Sequence, residues 1–134
     1  MIVVDTNLVV PLVIPGERTE IVERLLRCDP AWRAPPLLFS ELRNVLLAYF
    51  RKGLATRAQC LSAIEAVRGL LDSRAEDEPD DSHVLRLAGD SGCTAYDCEF
   101  VAMAERLRCR LVTWDRQVLA AFGERAVTPE GICG

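Results

Sequence analysis

An α/β fold with parallel strands is predicted from three features of the 134 residues. A continuous β-branched run, Ile2-Val3-Val4, opens the chain, as expected of a strand covered on both faces. A second convincing strand, Cys109-Arg110-Leu111-Val112-Thr113, lies near the end. Elsewhere, short apolar runs alternate with segments of helical period, the pattern of strands interleaved with helices.

The first strand ends abruptly at Asp5-Thr6-Asn7. Leu8 to Pro15 is apolar but punctuated by Pro11, Pro15 and Gly16, so a short helical turn followed by a loop is expected. Ile21, Val22, Leu25 and Leu26 share one face of a helix over Glu20 to Leu26. Arg33-Ala34-Pro35-Pro36 permits only a short extended piece, and Ser40 is expected to open the clearest helix. That helix carries Leu42, Val45, Leu46, Tyr49 and Phe50 on one face, and Gly53 suits its stop. Thr56 caps a further helix with Leu61, Ile64, Val67 and Leu71 inward. The acidic stretch Glu76 to Asp81 reads as a solvated loop leading into a helix that runs to about Gly89, where the helix dipole favours carboxylates. After Gly92, Thr94 opens a helix bearing Phe100, Val101, Ala104 and Leu107. The second strand follows and stops at Trp114-Asp115; Arg116 to Phe122 is a short helix, and Ala126-Val127 a small edge strand.

Half of the residues are apolar, and a chain of this length forms one domain, residues 1–134, that buries roughly two-thirds of its unfolded surface. Disulfides are therefore not required, and the six cysteines, which include no Cys-x-x-Cys pair, read as buried free thiols. A dyad of the single histidine, His83, with Cys93 or Cys98 is the weaker alternative. No apolar stretch approaches the roughly 18–20 residues of a membrane span. The N-terminus has neither a basic region nor a small-residue cleavage site, so the expected location is cytoplasmic. The net charge of −4 argues against a simple electrostatic nucleic-acid binder but not against a nuclease.

Four acids occupy special positions. Asp5 and Asp115 each leave the carboxyl end of a strand, where α/β folds place their sites. Glu41, read as lying in the first turn after Ser40, and Asp97, three residues after Thr94, have helix capping as their plain explanation. Yet Glu41 can lie at the rim of the buried face, and Asp97 shares a helix side with Val101 and Ala104, facing the sheet. If the two strands are neighbours, all four carboxylates line one cleft. Crowded carboxylates raise one another's pKa, a conflict resolved by a hard divalent cation, Mg²⁺ or Mn²⁺. Such a site suits phosphodiester hydrolysis. Thr6, Asn7 and Thr113 are placed to orient the carboxylates through hydrogen bonds.

The strings Ile2-Val3-Val4-Asp5-Thr6-Asn7, Ser40-Glu41-Leu42, Thr94-Ala95-Tyr96-Asp97 and Leu111-Val112-Thr113-Trp114-Asp115 resemble, in order and spacing, a PIN domain of the VapC-type toxins. The resemblance implies a three-layer α/β/α sandwich around a short parallel sheet. It also implies a Mg²⁺- or Mn²⁺-dependent ribonuclease in which Asp5, Glu41, Asp97 and Asp115 hold the metal, supported by Asn7 and Thr113, and a metal-activated water attacks RNA. A homodimer and a VapB-like antitoxin, one arginine of which would pair with the acids, are further implications. Trp114 is bulkier than the small residue often found there; base stacking by Trp114 and phosphate contact by Arg116 are candidate substrate roles, against core packing and a surface helix start.

Other readings fit less well. A haloacid-dehalogenase-like phosphatase needs an acid where Asn7 stands, and a response-regulator receiver needs a late lysine, whereas the one lysine is Lys52. A non-toxin RNA-processing nuclease with the same site, or a non-catalytic PIN-like binding module, are the remaining alternatives.

Overall fold

The computed structural model describes residues 1–71 and 77–133. Four short strands, β1 (Ile2–Val4), β2 (Trp32–Arg33), β3 (Leu111–Val112) and β4 (Ala126–Val127), form one parallel sheet in the order β2-β1-β3-β4. All three β1 residues are buried, as both-face coverage demands. From β1 the chain passes through α1 (Thr6–Val13) and α2 (Thr19–Cys28) to β2. It then returns through α3 (Leu37–Arg51), α4 (Arg57–Leu70), α5 (Asp81–Ser91) and α6 (Ala95–Leu107) to β3 on the other side of β1. Right-handed crossovers in opposite directions put α1 and α2 on one face and α6 on the other, which gives the three layers. A short α7 (Arg116–Ala121) leads to β4, and α8 (Pro129–Cys133) closes the described chain. The core joins Val3, Val4 and Val112 of the sheet to Leu8, Val9, Val22 and Leu25 of α1 and α2, and to Val101 and Ala104 of α6.

Several expectations are corrected. The first helix is two turns rather than one and runs through Pro11, which forgoes one backbone bond. Its last turn is tied down elsewhere, because the Pro11 carbonyl accepts the Thr19 hydroxyl at 2.7 Å. Helix α3 begins at Leu37, not Ser40, because Pro36 takes the N-cap and the amides of Leu38 and Phe39 bond to the carbonyls of Pro35 and Pro36. Proline has no amide to lose in a first turn, so the Pro-Pro pair starts the helix that it was expected to precede. Leu61 is exposed, not inward, and Leu71 ends α4 and bridges to Trp32. Thr56 does cap α4, in a reciprocal capping box with Gln59.

The acidic stretch is only partly the solvated loop expected. Glu76 lies outside the described residues, and Asp80 caps α5 through the His83 amide. Asp77, however, is buried: its Oδ1 accepts Nη2 of Arg33 at 2.5 Å and Nη2 of Arg106 at 3.1 Å. The reading of all six cysteines as free thiols is also overturned. Cys28, last residue of α2, is disulfide-bonded to Cys133, last residue of α8. The link joins residues 105 positions apart, so it constrains nearly the whole unfolded chain. Cys60, Cys93, Cys98 and Cys109 are free. Among the described residues, no helix is long and apolar enough to cross a membrane.

Candidate active site

The site begins with strand register. Val3 pairs with Leu111 and Val4 with Val112, so the next residues, Asp5 and Thr113, emerge side by side at the carboxyl edge of the sheet. The Asp5 amide still bonds to the Val112 carbonyl, and the Thr113 amide to that of Val127, at 3.0 Å each. Asp5 then caps α1, its Oδ1 accepting the Thr6 amide at 2.7 Å, while Oδ2 accepts the Thr113 hydroxyl at 2.7 Å.

Thr113 is the hub. Its side chain is fully buried, and the same oxygen that donates to Asp5 accepts the Asp115 amide at 2.9 Å and the Asn7 Nδ2 at 3.3 Å. Asn7 in turn accepts the Trp114 amide through Oδ1 at 3.5 Å. One hydroxyl thereby fixes the directions in which Asp5 and Asp115 leave their strands. The Thr113→Val substitution keeps the β-branched shape and orphans the donors. Its expected cost is about 1–3 kcal/mol, read by urea denaturation; a loss under about 0.5 kcal/mol would show that the web is dispensable.

The two helix acids come from opposite layers. Because α3 starts early, Glu41 sits in its second turn, beyond any capping role, and its Oε1 accepts the Thr6 hydroxyl at 2.7 Å. The capping explanation for Glu41 is thus removed. Thr94 caps α6 by accepting the Asp97 amide at 3.1 Å, but among the described residues the Asp97 carboxylate returns no bond to Thr94. Asp97 is half-buried on the helix that carries buried Val101 and Ala104, and its charge acts on Asp5. Asp115 caps α7 through the Val118 amide at 3.0 Å.

All four carboxylates are half-buried. Burial raises the Asp5 carboxyl above the ordinary range, with the charges of Asp97 and Asp115 adding to the rise, against the lowering by the Thr113 and Thr6 bonds. Glu41 is likewise raised by burial, then by Asp5 and Asp97. The negative field extends to Glu99, raised by burial and by Glu78 and Glu41, a residue that no motif or helical spacing singles out.

This donor set is all hard oxygen, and its unrelieved repulsion fits a divalent cation of the Mg²⁺ or Mn²⁺ kind rather than zinc. Among the described residues, no three histidine, cysteine or acidic side chains already stand together as a metal cage. The acids would have to close around an ion. A Cys-His nucleophile is not supported: His83 Nε2 lies 3.2 Å from Glu105 Oε2, and burial raises the Cys98 thiol.

At the mouth, Trp114 is half-buried and packs against the core, as expected. The Arg18 guanidinium lies over its ring, 4.3 Å from the centroid, and its Nε1 is 3.3 Å from both Glu130 carboxylate oxygens. Arg18 already occupies one ring face, which leaves that face closed to the base stacking considered for Trp114. Arg116 is exposed at the start of α7. Arg18 and Glu130 were not legible because their link to Trp114 exists only once α2 and α8 are packed together.

Comparison with known proteins agrees with this architecture. The PIN domain family profile matches residues 2–124. Ribonuclease VapC3 of Pyrobaculum aerophilum is 32% identical over 133 residues, covering 96% of this chain and 98% of that protein. The crystal structure of PAE2754 from Pyrobaculum aerophilum superposes with a TM-score of 0.77 at 23% identity, over 96% of this chain and 89% of the other. A toxin-antitoxin complex from Klebsiella pneumoniae gives a TM-score of 0.69 at 17% identity, over 96% and 98%. The two structural likenesses establish the fold.

Proposed function

The chain belongs to the PIN domain family, and from that premise we propose that it is a Mg²⁺- or Mn²⁺-dependent endoribonuclease of the VapC type. The observation that carries this reading is the gathering of acids around Asp5: Thr6 bonds both Asp5 and Glu41, Thr113 bonds both Asp5 and the Asp115 amide, and the charges of Asp97 and Asp115 act on Asp5. Nothing in the packing of the core requires four acids there. Their mutual repulsion is a cost that a cation turns into binding energy.

Each acid has a distinct part. Asp5 is locked by Thr113 and the Thr6 amide, so its carboxylate is presented in one orientation. The Asp97 carboxylate accepts no hydrogen bond among the described residues and is free to serve as a ligand, its amide being bonded to Thr94. Glu41 and Asp115 are held by the Thr6 hydroxyl and the Val118 amide and complete the oxygen donor set. A cation bound by these residues supplies a nucleophilic water at neutral pH and charge neutralisation for an in-line phosphoryl displacement. The relative named Ribonuclease VapC3, similar along nearly its whole length, supports RNA as the substrate.

Reading the chain as a toxin brings two further expectations, a VapB-like antitoxin whose arginine pairs with the acidic cleft and a homodimer. Cytoplasmic action follows from the substrate. The test is incubation of the purified chain with total RNA and Mn²⁺ or Mg²⁺, beside an EDTA control. Discrete products that vanish in EDTA support the reading, and intact RNA with both metals overturns it.

A further inference from the structure

We propose that Arg18, seated on Trp114, grips an RNA phosphate at the mouth of the cleft; this rests on the ribonuclease reading and names the part of the chain that holds the substrate backbone. Four carboxylates on a chain of net charge −4 repel a polyanion, so binding requires local cations beside the reacting phosphate. Arg18 is such a cation. It precedes α2, is exposed, and among the described residues has no carboxylate partner.

Its position is nonetheless built rather than left to chance. The indole it covers is fixed along the chain by Thr113 and Asp115, both in the site, and the Trp114 amide bonds to Asn7. The Glu130 carboxylate holds the indole edge through Nε1. Glu130 belongs to α8, which is tied by Cys133 to Cys28 at the far end of α2. The ring is therefore clamped on its edge by an anion and on its face by a cation. A guanidinium satisfied through its flat face keeps its N–H donors at the rim, where they match two phosphate oxygens. Packing alone would be served as well by an apolar side chain of similar length; a phosphate contact would not.

The variants Arg18→Met and Arg18→Lys distinguish these roles. A fluorescein-labelled, mixed-sequence single-stranded RNA is titrated with each protein in EDTA, to prevent cleavage, between 50 and 200 mM salt, on the order of the range over which phosphate contacts are read. Arg18→Met is expected to weaken binding about tenfold. It should also flatten the plot of log affinity against log salt by about 0.7, the share of one phosphate on a single strand. Arg18→Lys should restore the slope but only part of the affinity, since it returns a point charge without the fork. If Arg18→Met does not fold, Arg18→Gln replaces it with the same prediction. An unchanged slope in the charge-removed variant overturns the inference while wild-type cleavage of total RNA leaves the ribonuclease reading standing. A wild type that neither binds nor cuts RNA overturns both, and does so without any variant.

Discussion

Replacing Asp5 with asparagine is expected to abolish RNA cleavage and, in the absence of metal, to remove part of the stability loss that wild type suffers as pH rises. The two effects have one cause. Asp5 carries a charge that burial, Asp97 and Asp115 disfavour, so its carboxyl is raised in the folded chain. A carboxyl raised on folding favours the folded state when protonated. That contribution is full below the ordinary aspartate value of about 3.9 and is lost as pH rises through the raised value. Glu41 acts in the same sense. These two groups should therefore take stability from the metal-free wild type as pH rises from about 4, and Asp5→Asn lacks the Asp5 share of that loss. The thermal midpoint of the variant should gain on that of wild type from acid towards neutral pH, on top of a pH-independent cost from the Asn amide, which meets a donor at Thr6 or Thr113. Mn²⁺ should then raise the wild-type midpoint more than that of the variant. The loss of cleavage should exceed the roughly 10–100-fold that removal of an outer hydrogen-bond partner costs a metal site. A difference between the two midpoints that does not change with pH in EDTA would show that the Asp5 charge carries no such penalty.

The largest loss of stability is expected at Asp77, far from any proposed chemistry. The Asp77 side chain is 0% exposed and that of Arg33 only 6%, so their ion pair has little access to water. Arg106 reaches the same Oδ1 from α6, while Arg33 comes from the edge strand β2. The trio therefore fastens the segment entering α5 to both the sheet and α6. Asp77→Ala leaves the Arg33 cation buried without that counter-charge; moreover, Nε of Arg33 already has no hydrogen-bond partner among the described residues. Stranding one member of a buried pair costs about 3–5 kcal/mol, whereas replacing both by apolar residues of similar volume is often close to neutral. The double variant Arg33→Met with Asp77→Leu should accordingly recover most of what Asp77→Ala loses in urea denaturation. If Asp77→Ala lost less than about 1 kcal/mol, the pair would be acting as a solvated surface bridge.

These two residues also mark what the sequence could and could not disclose. Asp5 was legible because a strand end is a local signal: a β-branched run stops and an acid follows. Asp115 is legible for the same reason, and their convergence needed only that β1 and β3 be neighbours, which they are. Asp97 was legible from helical period. Asp77 was not, since an acid among acids reads as solvated until two arginines, 44 and 29 residues away, fold onto it. Glu41 was identified, but with a mistaken first-turn position, because Pro35-Pro36 signals both a break and a helix start. Helix α8 is too short to show a period, and without it nothing brings Cys133 to Cys28 or Glu130 to Trp114. What escaped the sequence is what long-range packing creates.

Asp97 offers the most direct test of the central claim, that four carboxylates hold the cation on which RNA cleavage depends. Its carboxylate has no hydrogen-bonding duty among the described residues that asparagine would disturb, and its backbone cap from Thr94 is untouched by the change. The measurement is the rate of total-RNA cleavage as Mn²⁺ is raised from zero, for wild type and Asp97→Asn side by side, with both shown folded by circular dichroism. The predicted result is a saturable rise for the wild type and a flat line for the variant. Cleavage by wild type at full rate in EDTA, or by Asp97→Asn at the wild-type rate in Mn²⁺, would contradict it.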